Sequence, residues 1–146
     1  MARKRNERQN AIREIVRADS VRTQRDLVDA LVARGFKCTQ ATVSRDIADM
    51  GLHKLPEGVY VLAEDLHLQR MVSEFVNESN RAQNLVVIKT LPGTAPGVAA
   101  AIDVADLPHV IGSIAGNDAV LVVAQDDEAA EDVLFLLNKL HRPQDR

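Results

Sequence analysis

The stretch Thr39-Gln40-Ala41-Thr42-Val43-Ser44-Arg45-Asp46-Ile47-Ala48-Asp49-Met50-Gly51 decides how the first half of this chain folds. Thr39 is a good helix N-cap, because its hydroxyl can accept a hydrogen bond from an otherwise unpaired N–H of the first turn. Val43, Ile47 and Met50 recur at i, i+4 and i+7, which predicts a helix over 40–50 with one buried face. Gly51 ends it, as glycine commonly does after a last helical turn. The other face carries Gln40, Thr42, Ser44 and Arg45. Glutamine can bond base edges, arginine can bridge guanine acceptors, and serine and threonine suit phosphates or bases. The competing reading is an ordinary solvated helix exterior, which carries the same residue types.

Upstream, Thr23 caps a second helix, with Asp26 three residues on in the first turn. Leu27, Val28, Leu31 and Val32 form its apolar stripe, and Gly35 stops it before the connector Phe36-Lys37-Cys38. A first helix over 8–17 has Ile12, Ile15 and Val16 on one face, with Arg3, Lys4, Arg5, Arg8, Arg13 and Arg17 around it. Two short helices joined by a tight glycine-containing turn, after a first helix, make a tri-helical helix-turn-helix. Downstream, Leu52-His53-Lys54-Leu55 and Val59-Tyr60-Val61-Leu62 flank Pro56-Glu57-Gly58, a strand, turn and strand that read as a wing.

Beyond 63–67, which reads as a short junction, Leu68, Met71, Val72, Phe75 and Val76 mark an amphipathic helix that fades over 77–84. Leu85-Val86-Val87-Ile88 is an apolar run typical of a buried strand, ended by Pro92-Gly93. An alanine-rich helix over 95–104 follows, with Pro96 near its start. The segments 110–115 and 119–124 form a hairpin around Gly116-Asn117-Asp118. A last helix opens on Asp126-Asp127-Glu128 and buries Val133, Leu134, Leu136, Leu137 and Leu140. The order helix, strand, helix, strand, strand, helix predicts helices over one face of a mostly antiparallel sheet. The strands are apolar on both sides, so a second subunit is the simplest cover for the other face. The fold class is therefore α/β (α+β): a winged helix-turn-helix over 1–64, a linker and start of a connecting helix over 65–72, and an α+β oligomerisation and ligand-binding module over 73–146.

Charge follows that division. Residues 1–60 carry a net +4 and residues 61–146 a net −7, within an overall −3. A basic half joined to an acidic one fits a nucleic-acid module beside a module with another task. With 46% hydrophobic residues but only 3% aromatic, the core is aliphatic. Cys38 is the lone cysteine, so neither a disulfide framework nor a thiolate zinc site forms within one chain. No run approaches the ~20 apolar residues of a membrane span. The basic N-terminus lacks the apolar stretch of a signal peptide, so a cytoplasmic protein with no membrane partner is expected. No nucleophile–base pair, phosphate loop or metal cluster stands out, which argues against an enzyme and against a metal. Asp103 and Asp118 could bind the ammonium or guanidinium of a small ligand by charge-assisted bonds. They could equally be a solvated helix residue and a turn former.

The blocks 39–47 with Gly51-Leu52, and 87–93 with Ile114-Ala115-Gly116-Asn117-Asp118, resemble those of the bacterial arginine repressors, from about Arg8 to Leu140. The resemblance implies a winged-helix DNA-binding domain and a C-terminal domain that trimerises, with two trimers stacking into a hexamer. It implies L-arginine bound between the trimers as corepressor, no other cofactor, operator DNA as partner, and repression of arginine biosynthesis, in some members with activation of catabolism. Gln40, Thr42, Ser44 and Arg45 would then face DNA. Asp103, Ser113, Ala115, Asn117 and Asp118 would line the arginine site, with residues near Thr94 to Pro96. Two departures stand out. The family usually has an acidic pair where this chain has Asn117-Asp118, and often a polar residue where it has Pro96. Asn117 keeps hydrogen-bonding ability but lacks one charge. Two further readings follow: the same DNA-binding regulator with a different effector or none, and an oligomeric amino-acid-binding module without a specific DNA target.

Overall fold

The computed structural model describes residues 2–141. It comprises two compact units that divide between Ala63 and Glu64.

The first unit contains helices α1 (Ala2–Ala18), α2 (Gln24–Ala33) and α3 (Gln40–Met50), then a small antiparallel ribbon of β1 (His53–Lys54) and β2 (Tyr60–Val61). Local chemistry fixes each boundary. Thr23 caps α2 in a full capping box, accepting from the Asp26 N–H at 3.0 Å while the Asp26 carboxylate accepts from the Thr23 N–H at 3.2 Å. Thr39 caps α3 through the Thr42 N–H, and Gly51 closes it at φ +66, a left-handed conformation that suits glycine. The ribbon turns at Gly58, φ +90, where the Gly58 N–H donates to the Leu55 carbonyl at 2.7 Å. Ile12, Ile15, Val16, Leu27, Leu31 and Val43 form the centre of the core, each essentially without solvent exposure. Each such aliphatic side chain contributes about 1.5–3 kcal/mol on burial. The first helix starts well before the apolar period predicts. Its N-terminal turns hold no apolar stripe and are fixed instead by Arg5 and Arg8, which reach carboxylates on α3.

A single 3-10 turn (Ala63–Asp65) spans the division and leads into α4 (Leu66–Phe75) of the second unit, so the stretch read as a junction is helical. Then come β3 (Val76–Ala82), β4 (Leu85–Thr90), α5 (Ala95–Ala105), β5 (Val110–Ala115), β6 (Ala119–Ala124) and α6 (Asp127–Leu140). The four strands form one antiparallel sheet in the order β3-β4-β6-β5. Strand β3 occupies most of the stretch over 77–84, where the sequence predicts a fading helix. Its sequence, Val-Asn-Glu-Ser-Asn-Arg-Ala, lacks apolar alternation, and it is an edge strand held by ladder bonds to β4. Val86, Ile88, Val120, Val122 and Ala124 point into the core beneath the helices, together with Val98, Ile102, Val133 and Leu137. The register places Leu85, Val87, Leu121, Val123 and Ile114 on the opposite face.

Candidate functional site

Two groups of residues carry the candidate chemistry, one in each unit. In the first, α3 exposes Gln40 in its first turn and Ser44 and Arg45 further along, while Val43 and Asp46 are buried and Ile47 partly buried. Thr42 is half-buried, and its hydroxyl is 3.1 Å from that of the capping Thr39, so it belongs to the start of the helix as much as to its face. Arg45 projects to solvent, whereas Arg5 and Arg8 are engaged by carboxylates.

Beside these residues lies a feature with no counterpart in the apolar pattern. Asp46 is only 1% exposed. It accepts from Arg8 through both carboxylate oxygens, Nη2 to Oδ1 at 2.9 Å and Nε to Oδ2, and from Gln9 Nε2 at 3.3 Å. Burial pushes the Asp46 pKa up, but the hydrogen bonds from Arg8 and Gln9 and the charges of Arg8 and Arg5 outweigh it and hold it below its ordinary value. Asp46 in turn raises the Arg8 pKa, chiefly by accepting its hydrogen bond. Burial pushes the nearby Cys38 thiol up. The sequence signal for this cluster was a charged residue three positions after Val43, on the side of the helix that the apolar stripe claims.

The wing is anchored to the connector between α1 and α2. The Tyr60 N–H donates to the Val21 carbonyl at 2.8 Å, and Arg22 Nη1 donates to the Glu57 carbonyl at the wing tip at 3.0 Å. Lys54 lies 5.5 Å from the centre of the Tyr60 ring, within cation–π range. Arg22 and Lys54 thus add exposed positive charge along the ribbon.

In the second unit the predicted ligand residues lie along one strip between α5 and the edge strand β5. Ser113 Oγ donates to Asp103 Oδ1 at 2.9 Å, joining strand to helix. At the far end, the Asn117 carbonyl accepts from the Gly93 N–H at 3.0 Å and the Ala95 N–H at 3.4 Å. The Asp118 carbonyl accepts from the Thr90 N–H at 2.8 Å. The hairpin turn is thereby tied to the start of α5, which brings Thr94 to Pro96 beside Asn117 and Asp118. Ala115 lies on the strand between the two ends. Ser113 and Asn117 are four residue steps apart along the chain, roughly 13 Å at the usual strand rise. The Asp103–Ser113 pair and the Asn117–Asp118 turn are therefore two ends of an open strip rather than one closed pocket within a single copy. The side chains of Asp103, Asn117 and Asp118 are all exposed. Pro96 sits in the first turn of α5, where its missing N–H costs no helical bond.

A three-helix unit with an anchored wing and exposed polar residues on its third helix defines a winged-helix DNA-binding regulator, here joined to a second α+β unit. Residues 3–68 match the family described as "Arginine repressor, DNA binding domain", and residues 72–139 match "Arginine repressor, C-terminal domain". The arginine repressor of Carboxydothermus hydrogenoformans is 42% identical over 138 residues, covering 87% of this chain and 92% of its own. That of Thermus thermophilus is 44% identical over 136 residues, covering 86% and 83%, and that of Pelotomaculum thermopropionicum 43% over 144 residues, covering 91% and 95%. The chain belongs to the arginine repressor family, a family of DNA-binding transcription regulators and not of enzymes. No helix among the described residues is long and apolar enough to cross a membrane.

Proposed function

We propose that this chain is a cytoplasmic, arginine-responsive regulator that binds operator DNA and represses arginine biosynthesis genes, with L-arginine as corepressor. The observation that carries the proposal is the exposure of Gln40, Ser44 and Arg45 on a helix that is locked to α1 through Asp46. In this reading α3 enters the major groove, Arg45 and Gln40 bond base edges, and Ser44 and Thr42 bond bases or phosphates. Residues up to Ala63 bind DNA, and those from Glu64 onward assemble copies and take the ligand.

The second unit supports the assembly through its uncovered sheet face, where Ile114 is 71% exposed. A trimer that buries this face, doubled into a hexamer, would present several winged helices to adjacent half-sites. The strip from Asp103 to Asp118 is open in one copy and suits a ligand that a second copy completes. There Asp118 would take the guanidinium of arginine by charge-assisted bonds. Arginine bound between copies favours the assembled form, and by linkage the assembled form favours arginine. The test is a gel-shift titration on arginine-gene promoter DNA with and without L-arginine. Arginine should strengthen operator binding without changing binding to random DNA. Equal, purely nonspecific binding in both arms sinks the proposal.

Asn117 favours a second reading, in which the regulator answers to a different small molecule. The position offers hydrogen bonds but no charge. Calorimetry against arginine, ornithine, citrulline and lysine decides it, since a preference for the uncharged side chain of citrulline over arginine selects the second reading.

A further inference from the structure

Helices α1 and α3 are joined by two ion pairs, three residues apart on each helix and running in opposite directions. Arg8 holds Asp46, and one turn earlier Arg5 Nη2 lies 2.6 Å from Asp49 Oδ2. The inner pair is nearly dry, with side-chain exposures of 18% for Arg8 and 2% for Asp46, whereas the outer pair is 53% and 37% exposed. The packing around them is aliphatic, a shared core to which α1 gives Ile12, Ile15 and Val16 and α3 gives Val43, with partly buried Ile47 against it.

An aliphatic contact of this kind is tolerant of sliding, because hydrophobic burial has no direction. A guanidinium fork on two carboxylate oxygens is not, because its planar geometry has one solution. A buried ion pair adds little net stability compared with apolar residues of similar volume, so its value here lies elsewhere. Recognition demands placement within about 0.5 Å and 10–20°. On a helix one residue step is about 1.5 Å and 100°, so a slip of a fraction of a step would carry a reading side chain off its base. Asp46 follows Arg45 directly and stands two residues from Ser44. Whatever fixes Asp46 fixes the azimuth and axial position of both.

We propose that Arg8 and Asp46, with Arg5–Asp49 as an outer rung, are positioning residues that set the register of α3 and thereby decide which base edges Ser44 and Arg45 reach. They determine sequence discrimination without touching DNA. The inference rests on the reading of α3 as the DNA-contacting helix. Phosphate contacts orient a protein on any duplex and carry no sequence information directly, whereas contacts to base edges do. Loss of register should therefore lower affinity for the operator and leave nonspecific binding in place.

The test uses the full chain carrying Arg8→Met with Asp46→Leu, a substitution that leaves net charge unchanged. Binding is measured to an operator selected from random DNA by the unsubstituted protein, and to a random duplex, over a salt series, with thermal melting alongside. The expected result is melting at or above that of the parent, unchanged affinity and salt slope on the random duplex, and operator affinity down about ten-fold, or ~1.4 kcal/mol. An unchanged operator-to-random ratio overturns the proposal, and so does an equal loss on both duplexes. Should that variant fail to fold, Arg5→Gln with Asp49→Asn decides the matter. Its exposed rung can be removed without loss of core, and the ratio should fall roughly two- to three-fold, in keeping with a weaker solvated pair. An unchanged ratio there also overturns the proposal. Arg45→Ala, run in parallel, separates the two levels. If it keeps full discrimination, the reading of α3 fails and this inference with it. If it loses discrimination while neither pair variant does, this inference alone fails.

Discussion

The two units solve the problem of burying an aliphatic core in opposite ways. The first closes on itself. Its helices and wing bury their apolar stripes against one another, and the candidate reading residues outside are polar. Val32 is its one strongly exposed large aliphatic among the described residues. The second unit covers one sheet face with three helices and leaves the other open. Ile111 and Ile114 are each 71% exposed and Val104 on α5 is 77% exposed. The comparison teaches that closing a core and leaving one face of it open call on different physics. The first unit adds directional contacts, a guanidinium fork and helix caps, to its closed core. The second relies on apolar area that has value only when another surface meets it.

The largest effect that would break this contrast is expected from Ile114→Glu. A carboxylate buried at a subunit contact without a partner costs several kcal/mol. Sedimentation should report a collapse to smaller species at micromolar concentration, with melting of the first unit unmoved. A variant that keeps the parental mass removes the uncovered face from the assembly. Next comes Arg45→Ala, expected to cost roughly 1–3 kcal/mol in operator affinity with mass unchanged. A wild-type gel shift would displace the reading face from α3. Asp118→Asn should weaken arginine by about 1–3 kcal/mol in calorimetry, and leave binding to random DNA as it was. If arginine affinity is retained, the charge partner for the guanidinium is elsewhere. The smallest effect belongs to acid. Asp46 titrates lower folded than unfolded, so its contribution is complete above the unfolded pKa, about 4, and is lost as pH falls through the folded value. Melting of the first unit should fall as pH drops below about 4, and Asp46→Asn should flatten that slope. An equally steep slope in the variant assigns the acid sensitivity to other carboxylates.

Much of the first unit is legible from sequence because its boundaries are written in local chemistry. Thr39 and Gly51 delimit α3 at the bounds the structure has, and Thr23 with Asp26 does the same for the start of α2. What escapes is what depends on partners distant in sequence. The first turns of α1 have no apolar period, and they exist where Arg5 and Arg8 meet Asp49 and Asp46, some forty residues away. Strand β3 escapes for the same reason, since its polar sequence becomes a strand only through pairing with β4. In the second unit the family resemblance implied one site lined by Asp103, Ser113, Ala115, Asn117 and Asp118, whereas the residues alone pointed only to Asp103 and Asp118. The fold sets the lining residues along one strip, with only Asp103 and Ser113 in direct side-chain contact. The winged helix is thus a sum of local signals, while the strip is a product of topology.

The turn at Asn117 has a consequence for how such a protein can change over time. Its carbonyl carries the structural duty, accepting from Gly93 and Ala95, and the residue is not in the left-handed region, so its backbone does not call for glycine. The backbone holds the hairpin to α5 whatever stands there, and the side chain is left free to face the solvent. A mutation at 117 can therefore alter the chemistry offered to a ligand at almost no cost in folding. If the strip takes the ligand as proposed, effector preference is a trait that can drift in a lineage while the scaffold stays put.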